Sequence, residues 1–382
     1  MSSVDTFRVL AAGRAAGLDA VGVAPAAPFT GTRATLVERR QAGLHGGMAF
    51  TYRNPDRSTD PSRTLRGARS LVVGALGYRR PCPPAPDRAV GRVAAYARRD
   101  HYAVLRHALG QVAEVLREAG HRAVVVADDN ALVDREAAYR AGLGWYGKNS
   151  NILLPGQGSW FVLGSVITTA ALEPSRPVED GCDPCRRCLD GCPTQAIVAP
   201  GVVDARRCLA WLVQADGDFP LEYREALGDR IYGCDDCQEV CPPNRQAGTT
   251  ADGPTDPRGT AGVDAGAEVA DTAGTNAGAE PSEAKGTDAG AEPADTTWVD
   301  LVALLGMDDE ELMERFGRWY IPRREPRYVR RNALVALGNS GRGHDPEVTA
   351  TVDRYLGDPD PMLVRHAVWA AERLGRGVPA AV

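Results

Sequence analysis

Long apolar runs are missing from this chain of 382 residues. No segment approaches the roughly 20 consecutive apolar residues that a membrane-spanning helix needs, so we predict a protein without a membrane span. The N-terminal stretch, MSSVDTFRVLAAGRAAG, also lacks the apolar core of a secretory signal. We therefore expect a cytoplasmic protein.

Aromatic residues are scarce, and residues 246–297 contain none of them. This segment consists mainly of Gly, Ala, Thr, Asp, Glu and Pro, and it repeats D-A-G-A-E at positions 264 and 288. It carries ten acidic residues against Arg258 and Lys285, whereas the whole chain has a formal charge of −6. Such a composition predicts a disordered insert, with an interaction tail as the alternative. The rest of the chain is slightly basic, which leaves a nucleic-acid partner open.

Signatures of common enzyme classes are absent as well. The glycine-rich loop at 142–150 matches neither G-x-G-x-x-G nor the P-loop pattern. No Ser/His/Asp arrangement and no zinc-hydrolase motif is present. Taken alone, the loop predicts a tight turn with an exposed lysine at Lys148.

Cysteine is concentrated in one place: eight of the nine cysteines lie between Cys182 and Pro242. They form C-x2-C-x2-C-x3-C-P, then a single cysteine, then C-x2-C-x3-C-P, which is the spacing of bacterial ferredoxins with two [4Fe–4S] clusters. In this motif the last cysteine of each run binds the other cluster. One predicted cluster has the ligands Cys182, Cys185, Cys188 and Cys241, and the other has Cys192, Cys208, Cys234 and Cys237.

Zinc and disulfide bonds are the alternative uses of these cysteines. C-x2-C pairs can bind zinc, but two C-x3-C-P endings fit zinc sites poorly. Disulfides require an oxidising compartment, which the missing signal sequence does not favour. Cys82 stands alone in a proline-rich loop, and we expect a free thiol there.

Helix and strand patterns alternate over the first half of the chain. Residues 70–76 and 122–127 are predicted to be buried strands, residues 133–141 a helix, and residues 151–154 and 160–169 a hairpin. This alternation predicts an α/β domain. Asp128 follows a buried strand, where it could belong to a site or cap the next helix, with Asp129 and Asp134 as local competitors. The residues alone favour the capping role.

Helical periodicity returns after residue 298. Helices are predicted at 299–305, 308–316, 328–337, 346–356 and 361–374, and successive pairs of this length resemble HEAT-type repeats. Residues 315–331 contain seven arginines interleaved with Trp319, Tyr320 and Tyr328. Guanidinium groups bind phosphate and aromatic rings stack on bases, so this stretch is either an RNA contact or a solvated helix face.

Four stretches of the chain together resemble the epoxyqueuosine reductase family. They are residues 47–55, residues 96–102, residues 128–149 ending in A-G-L-G-W-Y-G-K-N, and residues 230–245, which contain R-I-Y-G-C-D-D-C and C-P-P-N-R. The last stretch is specific because it joins a ferredoxin motif to a run that ordinary ferredoxins lack. Residues 211–216 depart from the family's usual T-I-E-H, and residues 129–131 depart from its apolar and proline residues.

The resemblance implies an activity and a further cofactor. Members of this family reduce the epoxide of epoxyqueuosine, at the wobble position of tRNA anticodons, to an alkene and so complete queuosine biosynthesis. Electrons pass through the two [4Fe–4S] clusters to a cobalamin in the N-terminal domain. The family's proton-donating aspartate lies thirteen residues before the alanine of A-G-L-G-W, which is the position of Asp128. The resemblance thus reverses the preference for capping alone.

The resemblance also implies which residues hold the ligands. For cobalamin we expect contacts from Tyr96, Lys148, Asn149 and Ser150. For the tRNA anticodon stem-loop we expect contacts from Arg323, Arg324, Arg327, Arg330 and Arg331. The predicted architecture is an α/β cobalamin-binding domain (1–175), an α+β ferredoxin-like domain with two [4Fe–4S] clusters (176–245), the acidic insert (246–297) and an all-α HEAT-like domain (298–382). We expect a monomer that receives electrons from an unidentified donor.

Three other functions are compatible with parts of the sequence. A related cobalamin and iron–sulfur reductase, such as a reductive dehalogenase, would normally carry an export signal and lack an arginine-rich repeat domain. A plain ferredoxin-type electron-transfer protein would not need the domain that precedes the cysteines. An RNA-binding adaptor could use the clusters structurally.

Overall fold

The structure, a computed structural model, describes residues 5–79, 81–246 and 296–377. Nearly all of the predicted acidic insert lies outside these residues. In the described part of the chain, no helix combines the length and the apolar character that crossing a bilayer requires.

The first half of the chain contains five helices and seven strands among its described residues. The helices are α1 (Thr6–Ala15), α2 (Thr30–Gln41), α3 (Pro55–Ser58), α4 (His101–Glu118) and α5 (Asp134–Arg140). The strands are β1 (Ala20–Pro25), β2 (Ser70–Gly77), β3 (Val90–Val93), β4 (Ala123–Val126), β5 (Trp145–Tyr146), β6 (Ile152–Leu153) and β7 (Phe161–Thr168). The predicted alternation of helices and strands is confirmed.

The main sheet has the order β1-β2-β7-β4, and every neighbouring pair is antiparallel. The expectation of an α/β domain, whose sheets are mostly parallel, is therefore wrong for this sheet. Its strands read as continuous apolar runs because both faces are covered. Leu105 of α4 packs on the face that contains Val72, and Ala137 of α5 packs on the face that contains Val73.

The predicted hairpin between residues 151–154 and 160–169 is also wrong. β6 pairs with β5, whereas β7 lies between β2 and β4 in the main sheet. The partner of β6 is thus the A-G-L-G-W stretch. Gly144 permits this close pairing, since a Cβ at that position would lie 2.1 Å from the carbonyl oxygen of Leu153.

Short elements surround the cysteines, and longer helices follow. The middle of the chain contains α6 (Arg187–Asp190), β8 (Ile197–Ala199), β9 (Val202–Val203), α7 (Leu209–Leu212), α8 (Arg224–Leu227), β10 (Arg230–Tyr232), α9 (Asp236–Glu239) and α10 (Pro242–Gln246). Then come β11 (Trp298–Asp300), α11 (Leu301–Gly306), α12 (Asp309–Phe316), α13 (Arg327–Asn339), α14 (Pro346–Leu356) and α15 (Pro361–Arg373).

A three-stranded sheet joins the three parts of the chain. β3 lies in its centre, parallel to β10 and antiparallel to β11. The helix predicted from residue 299 therefore begins two residues later, because residues 298–300 pair with β3. One core includes Val93, Ile231 and Val299 together with Leu334 of α13. The C-terminal helices are consequently packed onto the rest of the protein through apolar contacts.

The ends of the C-terminal helices follow from local sequence signals. The side chains of Asp345 and Asp360 cap α14 and α15, and proline stands at the first turn of each. Asp308 and Glu311 form a capping box at the start of α12. These signals depend only on neighbouring residues, which explains why the predicted bounds of α12, α14 and α15 agree with the structure to within one residue.

Candidate active site

Four cysteines line one small cavity. Cys188 and Cys241 are buried and Cys182 and Cys185 are half-buried, so thiols that are 59 residues apart in sequence meet here. Gly147, Lys148, Asn149, Leu153 and Pro242 complete the lining. The structure thus brings together the four residues that the spacing predicts as ligands of one cluster.

The other four cysteines of the motif also interact electrostatically with one another. Burial first, and then the charges of Cys234, Cys208 and Cys192, raises the pKa of Cys237 well above its usual value. Cys188 of the first set contributes to the same shift, which places the two sets side by side. Burial raises the pKa of Cys234 to about 12. The thiols of Cys234 and Cys237 are therefore neutral without metal, and bound iron would supply the positive charge that ionises them.

The glycine-rich loop at 142–150 supports the cysteine loops. Lys148 Nζ donates hydrogen bonds to the carbonyl oxygens of Asp183 (2.5 Å) and Cys185 (2.9 Å). Asn149 Nδ2 donates to the carbonyl of Cys237 at 3.2 Å. Lys148 is not the freely exposed lysine that the loop by itself predicts. Contact of this loop with a cobalamin stays a prediction.

Asp128 is the second residue after β4, and its backbone is left-handed, with a φ of 56°. It does not cap α5, because the N-cap of that helix is Val133 and no side chain bonds there. The capping interpretation of Asp128 is therefore wrong. The carboxyl is exposed, yet the surrounding protein desolvates it and raises its pKa, against the opposing charge of Arg106.

Asp134 lies next to Asp128 and is the more deeply placed carboxyl. Burial raises the pKa of Asp134 well above its usual value, and the charges of Asp128 and Asp129 add to this shift. The nearby backbone of Asp128 acts in the opposite direction and lowers this pKa. Among the described residues, Asp134 Oδ1 has no hydrogen-bond partner. Two carboxyls with raised pKa values thus share one site, a common property of acid–base centres.

Arg135 is exposed and lies among tyrosine and cysteine side chains from distant parts of the chain. Its charge lowers the pKa values of Tyr78, Tyr102, Tyr146 and Cys208, although burial dominates and raises all four. The tyrosine hydroxyls are accordingly neutral. The charge of Arg135 thus reaches tyrosines near the main sheet and a cysteine of the second set.

Tyr96 packs against the loop that carries Cys234. Its hydroxyl accepts a hydrogen bond from Gln214 at 3.4 Å, and its ring centroid lies 6.4 Å from that of Tyr232. Gly233 must be a glycine, because a Cβ there would lie 2.9 Å from the Tyr96 ring. The charge of Asp128 acts in turn on the Tyr232 hydroxyl.

Arg331 cannot contact RNA, and its assignment to the tRNA surface is wrong. It is fully buried and donates to the carbonyls of Leu212 (3.0 Å), Ala215 (2.8 Å) and Gly217 (2.6 Å). Burial lowers the pKa of Arg331 to about 10, so the guanidinium stays charged at neutral pH. The pattern of arginines alone did not distinguish this residue from its exposed neighbours.

The other four arginines predicted to bind tRNA differ in availability. Arg330 is nearly buried and bonds to Asp309 at 2.5 Å, and Arg327 bonds to Asp360 at 2.8 Å. Arg323 and Arg324 are exposed and adjacent, but Arg323 forms ion pairs with Asp216 at 3.2 Å and with Glu325 at 2.9 Å. Arg324 donates to the Gly317 carbonyl and is the more available cation of the two.

Comparison with known proteins identifies the cysteine segment first. Residues 181–244 match the family model of a 4Fe-4S double cluster binding domain, which rules against the zinc alternative. The whole chain is similar to the epoxyqueuosine reductase of Bacillus anthracis, with 31% identity over 378 residues, 96% of this chain and 88% of the relative. The chain belongs to the epoxyqueuosine reductase family.

Solved structures of epoxyqueuosine reductases share the fold. One, crystallised with an epoxyqueuosine-modified tRNA-Tyr stem loop, superimposes with a TM-score of 0.78 at 28% identity, covering 97% of this chain and 90% of that one. Another, from Bacillus subtilis, has its aspartate-bearing catalytic loop swung out of the active site. It has a TM-score of 0.77 at 28% identity, with 98% and 91% coverage.

Several residues of this epoxyqueuosine reductase site were missed by the sequence analysis. Arg135 and Tyr232 lie in stretches that resemble the family but had no role assigned to them, and Asp134 was only a competitor of Asp128. Residues 211–216 depart from the family pattern. In this segment, Trp211 Nε1 donates a hydrogen bond to the Gly46 carbonyl at 2.8 Å. The proximity of Asp134 to Asp128 in sequence was the one available signal.

Proposed function

We propose that this protein reduces epoxyqueuosine to queuosine at the wobble position of tRNA anticodons, the last step of queuosine biosynthesis. It is an oxidoreductase of the epoxyqueuosine reductase family. The observation that carries the proposal is the similarity over almost the whole chain to a reductase solved with an epoxyqueuosine-modified stem loop.

Two [4Fe–4S] clusters would supply electron transfer in the proposed reaction. The cysteines around the cavity would hold the first, and the set whose thiols act on Cys237 would hold the second. Lys148 and Asn149 support the cluster loops through backbone carbonyls. Adjacent sets allow electrons to pass from one cluster to the next.

We place the proposed cobalamin beside Arg135. Neutral tyrosine hydroxyls and a guanidinium offer hydrogen bonds to a large planar cofactor with amide side chains, and Tyr96 lies against the loop of Cys234. Tyr96 and Arg135 would contact the cofactor, with Lys148, Asn149 and Ser150 on the cysteine side. A bound cobalamin would supply a cobalt centre for electron transfer to the substrate.

Asp128 is the proposed proton donor. Converting the epoxide to an alkene takes two electrons and two protons and releases the oxygen as water. Desolvation raises the pKa of Asp128 and favours the protonated carboxyl that can give a proton to the departing oxygen. Asp134 lies beside this donor, and the left-handed backbone of Asp128 presents its carboxyl.

The C-terminal helices form the proposed HEAT-like surface for tRNA. Arg323 and Arg324 supply exposed positive charge, and Arg327 and Arg330 stand behind them in ion pairs. We further propose a cytoplasmic monomer that takes electrons from a donor still to be identified.

Anaerobic reconstitution with iron, sulfide and cobalamin tests this function. The protein should contain about eight irons and one cobalt by metal analysis. With a chemical reductant, it should remove one oxygen atom from an epoxyqueuosine stem-loop, as seen by mass spectrometry. Iron without cobalt and without turnover would instead identify a plain electron-transfer protein.

A further inference from the structure

The segment between α12 and α13, residues 317–325, is fastened to the cofactor-binding part of the protein. Arg318 Nη2 and Trp319 Nε1 both donate to the carbonyl of Ala97, at 2.5 and 3.1 Å. The Trp319 ring stacks on Tyr232 with centroids 4.4 Å apart and planes 13° apart. We call this segment the rim turn.

Tyr320 is the exposed residue of this rigid rim turn. Its backbone N–H donates to the Tyr232 hydroxyl at 2.8 Å, while its side chain is 58% exposed. Trp319 and Tyr232, on which it rests, are almost fully buried. The charge of Asp128 acts on that same Tyr232 hydroxyl. The rim turn therefore presents a free aromatic ring next to Tyr232, which lies beside Tyr96.

Backbone strain and positive charge mark the same segment. Arg323 and Arg324 are consecutive non-glycine residues with φ of 50° and 55°. Arg324 Nη1 closes the turn by donating to the Gly317 carbonyl at 2.9 Å. Strained backbone of this kind persists only where the surroundings hold it, and it is concentrated at ligand-binding sites. Both arginine side chains are exposed beside Tyr320.

We propose that Tyr320 stacks on the unpaired base next to the modified nucleotide of the anticodon loop. An exposed ring flanked by arginines is the usual platform for single-stranded nucleic acid. In the stem the base faces are covered by neighbouring pairs, so only the loop offers a free face. Stacking there would hold the neighbouring nucleotide at the rim while the modified one reaches Asp128. This inference rests on the proposed function.

The test measures the steady-state kinetics of Tyr320→Ala with epoxyqueuosine stem-loops and a chemical reductant. We expect KM to rise about tenfold with kcat unchanged, because the ring contributes binding that is equal in ground and transition states. A chemical reductant removes any electron-donor protein from the assay. An effect of the substitution then belongs to the RNA and not to donor docking.

Stem-loops with an abasic site on either side of the modified nucleotide identify the stacked base. With the correct abasic substrate, wild type and Tyr320→Ala should have the same KM, since the ring has lost its partner. Tyr320→Phe keeps a ring and should behave like wild type with the intact substrate. Phe7→Ala, which removes an exposed ring from α1, should change neither KM nor kcat.

Two results would overturn the inference while leaving the proposed function intact. One is an unchanged KM of Tyr320→Ala on the intact stem-loop. The other is an equal loss on intact and on both abasic substrates. Absence of turnover by the wild-type protein would instead contradict the proposed function itself. Because the side chain is exposed and the bond to Tyr232 uses the backbone, the melting temperature of the variant should match that of wild type.

Discussion

Arg331 of α13 donates a hydrogen bond of 3.0 Å to the carbonyl of Leu212, the last residue of the helix that begins after Cys208. The same guanidinium also donates to two carbonyls further along the chain, those of Ala215 and Gly217. Asn332 extends this contact to the carbonyl of Val213 at 2.8 Å. The C-terminal helices thus hold the segment that carries a proposed cluster ligand.

Replacing Arg331 should destabilise the protein strongly. Arg331→Met leaves three carbonyl oxygens without their donor, and we expect a loss of about 3 kcal/mol in the free energy of unfolding. Thermal unfolding of the reconstituted protein measures this loss. Arg324→Met, at an exposed site of the same stretch, should change stability by less than about 0.5 kcal/mol. Equal stability of both variants would argue against the structural role of Arg331.

Substitution of single cysteines should remove clusters selectively. Cys241→Ser should reduce the iron content from about eight to about four atoms per chain, because the first cluster loses a buried ligand and the second keeps all of its own. Iron analysis and electron paramagnetic resonance of the reduced protein test this. Cys82→Ser alters an exposed free thiol outside the motif and should keep the full iron content. A full iron content in Cys241→Ser would contradict the assigned ligand set.

Asp128→Asn should retain both cofactors and lose turnover by roughly 10²- to 10⁴-fold, the usual contribution of a positioned acid. The raised pKa of Asp128 predicts that wild-type turnover falls as pH increases through that pKa, since the carboxylate has no proton to give. A pH–rate profile measures both effects. Asp129→Asn, at the next residue, should keep turnover and shift the profile slightly to lower pH, because the charge of Asp129 helps to raise the pKa of Asp128. Unchanged turnover of Asp128→Asn would remove this residue from the proposed role.

Asp134→Asn should stabilise the protein in a pH-dependent way. Burial raises the pKa of Asp134 above its unfolded value of 3.8, so the folded state holds a proton that the unfolded state releases. The loss of folding free energy that Asp134 causes is absent below its unfolded pKa. This loss grows as the pH rises towards the folded pKa of Asp134. The variant should therefore melt at a higher temperature than wild type at pH 7, with a smaller difference near pH 4. A constant difference would contradict the raised pKa.

Neutralising the exposed arginines should change the salt dependence of RNA binding. Arg323→Gln and Arg324→Gln should each reduce the slope of log Kd against log salt by about 0.7–1, the effect of one phosphate contact. Fluorescence anisotropy with a labelled stem-loop measures the slope. Arg330→Gln is the matched control, because its guanidinium is nearly buried against Asp309. It should lower stability and leave the slope unchanged.

Point substitutions test the RNA surface better than removal of the C-terminal helices. Truncation after Arg245 would delete β11, which pairs with β3, and would expose core residues such as Ile231. Loss of tRNA binding in that protein would not separate a missing contact from a damaged fold.

The cysteine spacing and the ends of α12, α14 and α15 could be predicted from the sequence because they depend on residues close together in the chain. A ligand loop needs thiols at fixed intervals, and a helix end needs its cap within a few residues. The resemblance to the family predicts Asp128 as the proton donor, through its distance from A-G-L-G-W, and this role stays a prediction. The residues alone favoured capping, which the structure contradicts.

Only the tertiary structure decided which polar groups are available. Arg331 and Arg324 belong to the same arginine-rich stretch, yet one is buried against the Leu212 carbonyl and the other is exposed. Lys148 follows a glycine like many exposed turn lysines, but it bonds to the cysteine loops. β11 pairs with a strand about 200 residues earlier. These outcomes depend on surfaces brought together by folding, and no local pattern encodes the partner that a side chain meets there.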